Sequence, residues 1–200
     1  MIEAIVFDFG DVFINLDKPA TFDGLKKLGA TEWNHDLDQL NQQFEMGKIS
    51  EDDFLSGIQK HCNNATIPEI KKTWNAILAD FPLYRLEFLQ MLSQKYRLFL
   101  LSNTDAIHIA RFQKKVGETF YNDFYHCFEH VYFSFEVGMR KPNIEIYEHV
   151  LNNHSLEANK TLFVDDKLEN TEAAKSIGMH VWNLQVGKED VVDLFEKNIL

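Results

Sequence analysis

Ala4-Ile5-Val6-Phe7-Asp8-Phe9-Gly10 begins with an uninterrupted apolar run that meets an acid and a glycine. The three residues before the acid favour β-strands, and a strand without polar alternation is typical of a sheet that is buried on both faces. We therefore predict a short buried strand within residues 2–9. Asp8 stands at the point where this strand gives way to a loop.

The same pattern returns four times in the second half of the chain, each time after a stretch that favours a helix. Two of these apolar runs also end in polar pairs, Ser102-Asn103 and Asp165-Asp166. Alternating helices and continuously apolar strands indicate a parallel sheet that is covered on both faces. We predict an α/β fold with a doubly wound, Rossmann-like parallel sheet. The four later strands are predicted at residues 97–101, 130–134, 161–164 and 181–184.

Residues 15–84 contain helix signals and no convincing strand. Ser50-Glu51-Asp52-Asp53 and Thr66-Ile67-Pro68-Glu69 have the pattern of a capping box, in which a hydroxyl and an acid three residues later satisfy backbone N–H groups at a helix start. Each is followed by apolar residues at helical spacing. We predict a core domain of residues 1–14 and 85–200, with residues 15–84 inserted as a small all-helical cap.

The composition excludes several partner classes. The 200 residues carry a net charge of −11 and no basic run, so nucleic acid is not expected to bind. No apolar run approaches the roughly 20 residues that span a bilayer, so no membrane association is expected. The only two cysteines, Cys62 and Cys127, are far apart, which fits a reducing cytoplasm without disulfides. The oligomeric state is left open.

Three polar clusters follow predicted strands: Asp8, Ser102-Asn103 and Asp165-Asp166. Open parallel sheets bind ligands beyond the carboxyl ends of their strands, so we expect these clusters to meet in one site. Lys141 is a fourth candidate, because Pro142 stiffens the loop that presents this cation after a predicted strand.

These residue types suit phosphoryl transfer with Mg²⁺. Carboxylate oxygens of Asp8 and Asp166 are hard ligands for Mg²⁺, which takes one or two carboxylates together with phosphate and water. The Asp8 carboxylate can also attack phosphorus and form an aspartyl phosphate. Lys141 and the donors of Ser102 and Asn103 would neutralise and orient the phosphate oxygens. The expected ligand is a small phosphorylated metabolite.

The order of these motifs resembles the haloacid dehalogenase (HAD) superfamily over nearly the whole chain. The motifs are Asp8-Phe9-Gly10-Asp11-Val12, Leu101-Ser102-Asn103, Arg140-Lys141-Pro142, and Asp165-Asp166 with Asn170 four residues later. Within the superfamily, residues 44–50 and 138–142 look closest to bacterial α-D-glucose-1-phosphate phosphatases and to the phosphatase domain of soluble epoxide hydrolases.

The resemblance implies a phosphoric monoester hydrolase and a role for each motif residue. Asp8 would be the nucleophile and a metal ligand, and Asp166 would be a second metal ligand. Asp165 and Asn170 would support the site by holding Lys141 and metal-bound water in place. Three residues would bind phosphate: Ser102, Asn103 and Lys141.

The sequence departs from the pattern of the superfamily's phosphatases at Gly10. Most of them carry an aspartate two residues after the nucleophile, which acts as general acid and base. Here that position is Gly10, whose backbone carbonyl can still bind magnesium, but the proton donor is missing. General acid catalysis contributes roughly 10²–10⁴-fold, and its loss matters most for poor leaving groups. Gly10 therefore favours substrates such as an anomeric sugar 1-phosphate. Asp11 is expected to point its side chain elsewhere.

Three other functions remain open from the sequence. A 2-haloacid dehalogenase would use the same aspartate without metal, although the paired acids Asp165-Asp166 would repel a haloacid unless a cation lay between them. A β-phosphoglucomutase-like enzyme would need the acid-base group that Gly10 lacks. A sugar-phosphate binding or regulatory protein, impaired in catalysis at Gly10, is the alternative that is not an enzyme.

Overall fold

The sheet is parallel throughout, as the apolar strands predict. A computed structural model describes residues 1–200. The strand order is β3-β2-β1-β4-β5, so the first strand of the chain lies at the centre of the sheet. Ala4 of this strand is paired with Arg97 of β2 on one side and with Thr161 of β4 on the other. All five strands overlap the predicted positions: β1 (Ala4–Phe7), β2 (Arg97–Ser102), β3 (His130–Phe133), β4 (Thr161–Asp165) and β5 (His180–Asn183).

Ten α-helices and three short 3₁₀ helices complete the chain. Four of the α-helices follow β1 and precede α5 in the chain. They are α1 (Lys18–Lys27), α2 (His35–Glu45), α3 (Glu51–Gln59) and α4 (Ile67–Trp74). The others are α5 (Leu83–Leu92), α6 (Ala106–Val116), α7 (Glu118–Tyr125), α8 (Ser134–Val137), α9 (Ile144–Asn153) and α10 (Leu168–Ser176). The 3₁₀ helices are Asn75–Ile77, Ala158–Lys160 and Val191–Lys197. The chain has no helix with the length and apolar character required to span a membrane.

Helices cover both faces of the sheet, which confirms the doubly wound fold. Side chains alternate along a strand, so Ile5 and Phe7 face a cluster with α5, α6 and α7, whereas Ala4 and Val6 face a cluster with α9 and α10. Apolar side chains of the central strand are thus buried on both faces, which is why this strand shows no polar alternation.

The helices α1 to α4 enclose a hydrophobic cluster of their own. Leu37, Phe54, Ile70 and Trp74 are among its buried residues, and Ile107 of α6 joins it from the sheet side. The capping boxes at Ser50 and Thr66 are formed as predicted and begin α3 and α4. Because α5 begins at Leu83, the helical insertion ends close to the boundary placed at residue 84. The division into two domains remains a prediction.

Two contacts hold α2 against the sheet domain. Glu45, the last residue of α2, accepts hydrogen bonds from Arg140 at 2.9 and 3.2 Å. Gly47 has a φ of +64° and packs directly against the backbone carbonyl of Phe135, so a side chain would not fit there. The helical insertion therefore lies over the carboxyl ends of the strands, next to the loop that contains Lys141.

Candidate active site

Lys141 lies at the centre of the site and joins two of the predicted strand-end clusters. Its Nζ is 2.6 Å from Asp8 Oδ1, 2.7 Å from Asp165 Oδ2 and 2.7 Å from the carbonyl oxygen of Leu101. These three acceptors match the three donors of an ammonium group. Burial alone would lower the pKa of Lys141, but attraction by Asp165 and Asp8 outweighs this effect and raises it. Lys141 is therefore a buried cation, only 1% exposed.

Asp8 is at the end of β1, where its backbone N–H donates to the carbonyl of Val164. One of its carboxylate oxygens is held by Lys141, and the other accepts no hydrogen bond. Burial raises the pKa of Asp8 to about 7, with a contribution from Asp165 that Lys141 opposes. A cation placed at the free oxygen would favour the ionised form. The environment of Asp8 therefore suits a ligand that brings positive charge.

The structure brings together the groups expected to bind a metal. Carboxylate oxygens of Asp8, Asp165 and Asp166 all lie within 4.8 Å of one another. Asp166 makes no hydrogen bond through its side chain, and burial and repulsion by Asp165 raise its pKa. The carbonyl oxygen of Gly10 likewise accepts no hydrogen bond from the protein. Hard oxygen donors that lack partners fit a divalent cation such as Mg²⁺.

Asp165 differs from the other two acids, because its oxygens already have partners. Asn170 Nδ2 lies 3.0 Å from both oxygens, and the backbone N–H of Lys167 donates to Oδ1 at 2.8 Å. Together with Lys141, these donors satisfy a carboxylate that has no exposed surface. Asp165 and Asn170 therefore hold the cation of Lys141 in place next to Asp8.

Ser102 and Asn103 line the same cavity, but their side chains differ in availability. The hydroxyl of Ser102 makes no hydrogen bond with the protein. The amide of Asn103 is engaged with the backbone of Lys141: Oδ1 accepts from the N–H at 2.9 Å and Nδ2 donates to the carbonyl at 2.8 Å. One amide N–H and the backbone N–H of Asn103 remain for a ligand. The side chain of Asn103 mainly positions Lys141, a role that the sequence did not indicate.

Asp11 is not among the residues that line the cavity, and both of its carboxylate oxygens have other partners, in agreement with the expectation that its side chain points elsewhere. Its φ of 57° is unusual for a residue with a side chain. Asp11 Oδ1 accepts from the N–H of Leu16 at 2.9 Å, and Oδ2 lies 2.7 Å from Lys18 Nζ. Lys18 also approaches Asp166, at 3.7 Å. Lys18 could not be recognised from the sequence, because a lone lysine at a helix start carries no signal for a site.

A second buried charged pair joins the helical insertion to the sheet domain. Asp105 caps α6 and lies 3.0 Å from His108 Nδ1, while its Oδ2 accepts from the indole N–H of Trp74 at 3.0 Å. His108 Nε2 lies 3.1 Å from the carbonyl oxygen of Trp74, and the two rings stack. Both ring nitrogens of His108 thus face oxygen atoms, an arrangement that suits an imidazolium, because a neutral ring has only one N–H.

The pKa values of this pair agree with its geometry. Burial alone would lower the pKa of His108, but attraction and hydrogen bonding by Asp105 raise it overall. Burial would raise the pKa of Asp105, but the charge and hydrogen bonds of His108 lower it overall. Asp105 and His108 are 31 and 34 residues from Trp74, so the sequence did not reveal this contact.

A cavity of about 310 Å³ lies over these residues, between the sheet edge and the helical insertion. Asp8, Lys141 and Asp166 form its floor, with Ser102 and Asn103 beside them. The walls come from α1, α2, α4, α6 and the loop between α1 and α2, and they carry both aromatic and polar side chains. These include Phe22, Trp33, Asp38, Asn41, Glu45, Trp74 and His108.

Comparison with known proteins agrees with this arrangement. A family model described as haloacid dehalogenase-like hydrolase matches residues 5–184. D-ribitol-5-phosphate phosphatase of Bacteroides thetaiotaomicron is 29% identical over 200 residues, covering 94% of this chain and 95% of that protein. The expected closeness to glucose-1-phosphate phosphatases and epoxide hydrolases remains a prediction.

Solved structures show the same fold. The crystal structure of a HAD family enzyme of B. thetaiotaomicron, in complex with magnesium and inorganic phosphate, is 31% identical, has a TM-score of 0.84, and matches 94% of this chain and 97% of that one. A predicted HAD-like family hydrolase of Porphyromonas gingivalis is 25% identical with a TM-score of 0.86, over 100% and 99% of the two chains. The chain belongs to the haloacid dehalogenase-like hydrolase family.

Proposed function

We propose that this protein is a magnesium-dependent phosphatase that uses Asp8 as its nucleophile. The observation that carries the proposal is the position of Asp8 on the cavity floor, with Lys141 Nζ 2.6 Å from one carboxylate oxygen. The other oxygen accepts no hydrogen bond. A carboxylate that a buried cation fixes in place can attack a phosphorus atom above it with one oxygen and bind a metal ion with the other.

The chain's own residues perform distinct parts of the reaction. Asp8 attacks phosphorus, so that an Asp8 oxygen–phosphorus bond forms while the bond from phosphorus to the leaving oxygen breaks. Water then hydrolyses the aspartyl phosphate to inorganic phosphate. Lys141 offsets the charge of Asp8 and of the substrate, and Ser102 and the free N–H groups of Asn103 orient the phosphate oxygens.

A magnesium ion would be held by carboxylate oxygens of Asp8 and Asp166 and by the carbonyl oxygen of Gly10. When bound, it supplies positive charge that stabilises the negative charge on the phosphate oxygens during phosphoryl transfer. Asp165 and Asn170 remain outside this ligand set, because their hydrogen bonds serve Lys141.

The substrate is proposed to be a small sugar or polyol phosphate, with an anomeric sugar 1-phosphate as the preferred case. The relative named D-ribitol-5-phosphate phosphatase supports a polyhydroxy substrate. The preference for an anomeric phosphate rests on Gly10, because no side chain at this position donates a proton to the leaving oxygen. Residues 15–84 are proposed to act as the cap, since several of the cavity walls come from this segment.

A screen of phosphorylated metabolites, with Mg²⁺ and with EDTA, tests the proposed function. We expect phosphate release that requires Mg²⁺ and disappears in Asp8→Asn. Release of halide from 2-haloacids without metal would instead identify a dehalogenase, and transfer of phosphate between sugar hydroxyls would identify a mutase. Binding of sugar phosphates without any turnover would identify a binding protein.

A further inference from the structure

The helix α2 presents one polar face to the cavity. Asp38, Asn41 and Glu45 are three and four residues apart, a spacing that places them on the same side of a helix. All three line the cavity over Asp8. Because Arg140 binds Glu45 and precedes Lys141, this face is held in a fixed position relative to the proposed phosphate site.

The groups on this face are almost all hydrogen-bond acceptors. Asp38 uses one oxygen to accept from Gln42 at 2.7 Å, and its other oxygen makes no hydrogen bond. Asn41 donates its amide N–H to Glu45 at 3.1 Å, so its Oδ1 is oriented away from that bond. Asn41 Oδ1 is buried and has no partner, although a buried acceptor without a donor is destabilising. This face therefore lacks hydrogen-bond donors that a ligand hydroxyl would supply.

Most of the cations around the cavity already have a carboxylate partner, and Lys167, which also lines the cavity without such a partner, is exposed next to Asp166 and does not lie on α2. Lys141 is committed to Asp8 and Asp165, Lys18 to Asp11, and His108 to Asp105. Arg140 is paired with Glu45. Asp38 has no cation as a partner, so the net charge of this wall is negative. Trp33 also lines this cavity and contributes an uncharged aromatic surface.

We propose that the α2 face selects monophosphates whose remaining groups are neutral hydroxyls, and rejects substrates that carry a carboxylate or a second phosphate. This inference rests on the proposed function and specifies its substrate class. Hydroxyls would donate to the free oxygen of Asp38, whereas an added anion would face the unpaired charge of Asp38 in a partly desolvated cavity. Such like-charge repulsion changes selectivity strongly because the local dielectric constant is low.

Matched substrate pairs test the selection while the leaving group stays the same. Sorbitol 6-phosphate and 6-phosphogluconate differ only in a terminal CH₂OH or carboxylate, and glucose 1-phosphate and glucuronate 1-phosphate differ in the same way. We expect kcat/KM to favour the hydroxyl member of each pair by at least about tenfold. A ratio near one in both pairs overturns the inference.

The variant Asp38→Asn tests whether the α2 face causes the preference for the hydroxyl member of each pair. It should lower the ratio within each pair severalfold by improving turnover of the carboxylate member. Asp36→Asn is the matched control, because it removes the same charge from an exposed position on the same helix. Equal effects of the two variants would mean that overall charge, and not the cavity wall, sets the preference, which contradicts the inference.

Binding to Asp8→Asn separates this inference from the proposed function. If the wild-type protein hydrolyses no phosphate ester, including p-nitrophenyl phosphate, the proposed function is wrong. Calorimetric titration of Asp8→Asn with the same pairs still decides the inference: tighter binding of the hydroxyl member supports it, and equal affinities overturn it.

Discussion

The side-chain amide of Asn103 forms two hydrogen bonds with the backbone of Lys141, which is 38 residues away in the sequence. The Asn103 amide accepts from the backbone N–H of Lys141 and donates to its carbonyl oxygen, at 2.9 and 2.8 Å. These bonds fix the backbone from which the buried ammonium group extends to Asp8. The geometry of the proposed nucleophile thus depends on an amide at the end of a neighbouring strand.

Asn103→Ala removes both bonds and should lower kcat by about 10²-fold, because small displacements of a catalytic group are costly. Circular dichroism should show a folded protein. Asn143→Ala is the matched control, since Asn143 is exposed in the same loop and makes no side-chain hydrogen bond at the start of α9. An Asn103→Ala enzyme within twofold of wild type would contradict a positioning role for this amide.

Asp166→Asn and Asp165→Asn should separate metal binding from support of Lys141. We expect Asp166→Asn to raise the half-saturating Mg²⁺ concentration more than Asp165→Asn, because the side-chain oxygens of Asp166 accept no hydrogen bonds. Asp165→Asn should instead lower the melting temperature, because it weakens a fully buried ion pair. Magnesium titrations and thermal denaturation measure the two effects. Equal shifts in half-saturating Mg²⁺ would refute the assignment.

Gly10 should make the rate depend steeply on the leaving group. In a series of aryl phosphates, kcat/KM should rise as the phenol becomes more acidic, because no carboxyl group at residue 10 protonates the leaving oxygen. Gly10→Asp should help the poorest leaving groups most, by up to roughly 10²–10⁴-fold. A Cβ at this position would lie 2.8 Å from Leu16 Cδ1, so Leu16→Ala is combined with it to make room. A flat dependence in the wild type would show that departure of the leaving group is not limiting.

His108 should stabilise the protein in a pH-dependent way. The pKa of His108 is raised in the folded protein above its ordinary value of 6.5, so its stabilising contribution is complete below about pH 6.5 and is lost as the pH rises through the folded pKa. The gap in melting temperature between wild type and His108→Gln should therefore be largest in mildly acidic buffer and should narrow in alkaline buffer. A gap that widens with pH would contradict the assigned ion pair with Asp105.

The sequence predicts the sheet because the signals for it are local. Each strand is four to six residues long with an apolar stretch in it, and the polar residue that ends such a stretch is adjacent in sequence, as in Phe7 and Asp8. Because the strands are parallel, the carboxyl ends of β1, β2 and β4 lie at the same edge of the sheet. No long-range contact has to be known to predict this. The positions of Asp8, Asp165 and Lys141 could therefore be anticipated.

The contacts between the helical insertion and the sheet domain could not be predicted in this way. Helical periodicity indicates which side of α2 or α4 is buried, but it does not identify the neighbour. The bonds from Trp74 to Asp105 and from Arg140 to Glu45 join residues 31 and 95 positions apart. In the sequence, Trp74 has the pattern of a core residue and the other three have that of a cap or a surface charge. The engagement of the Asn103 amide by Lys141 is hidden for the same reason.

Covalent attack by Asp8 is tested most directly by trapping the aspartyl phosphate. The enzyme is mixed with Mg²⁺ and a hydrolysed substrate, quenched in acid, and reduced with borohydride, which converts an acyl phosphate to an alcohol. Peptide mass spectrometry should then find homoserine in place of aspartate at position 8, only when substrate was present. Steady turnover without any modification of Asp8, or homoserine at Asp11 or Asp166 instead, would contradict the proposed nucleophile.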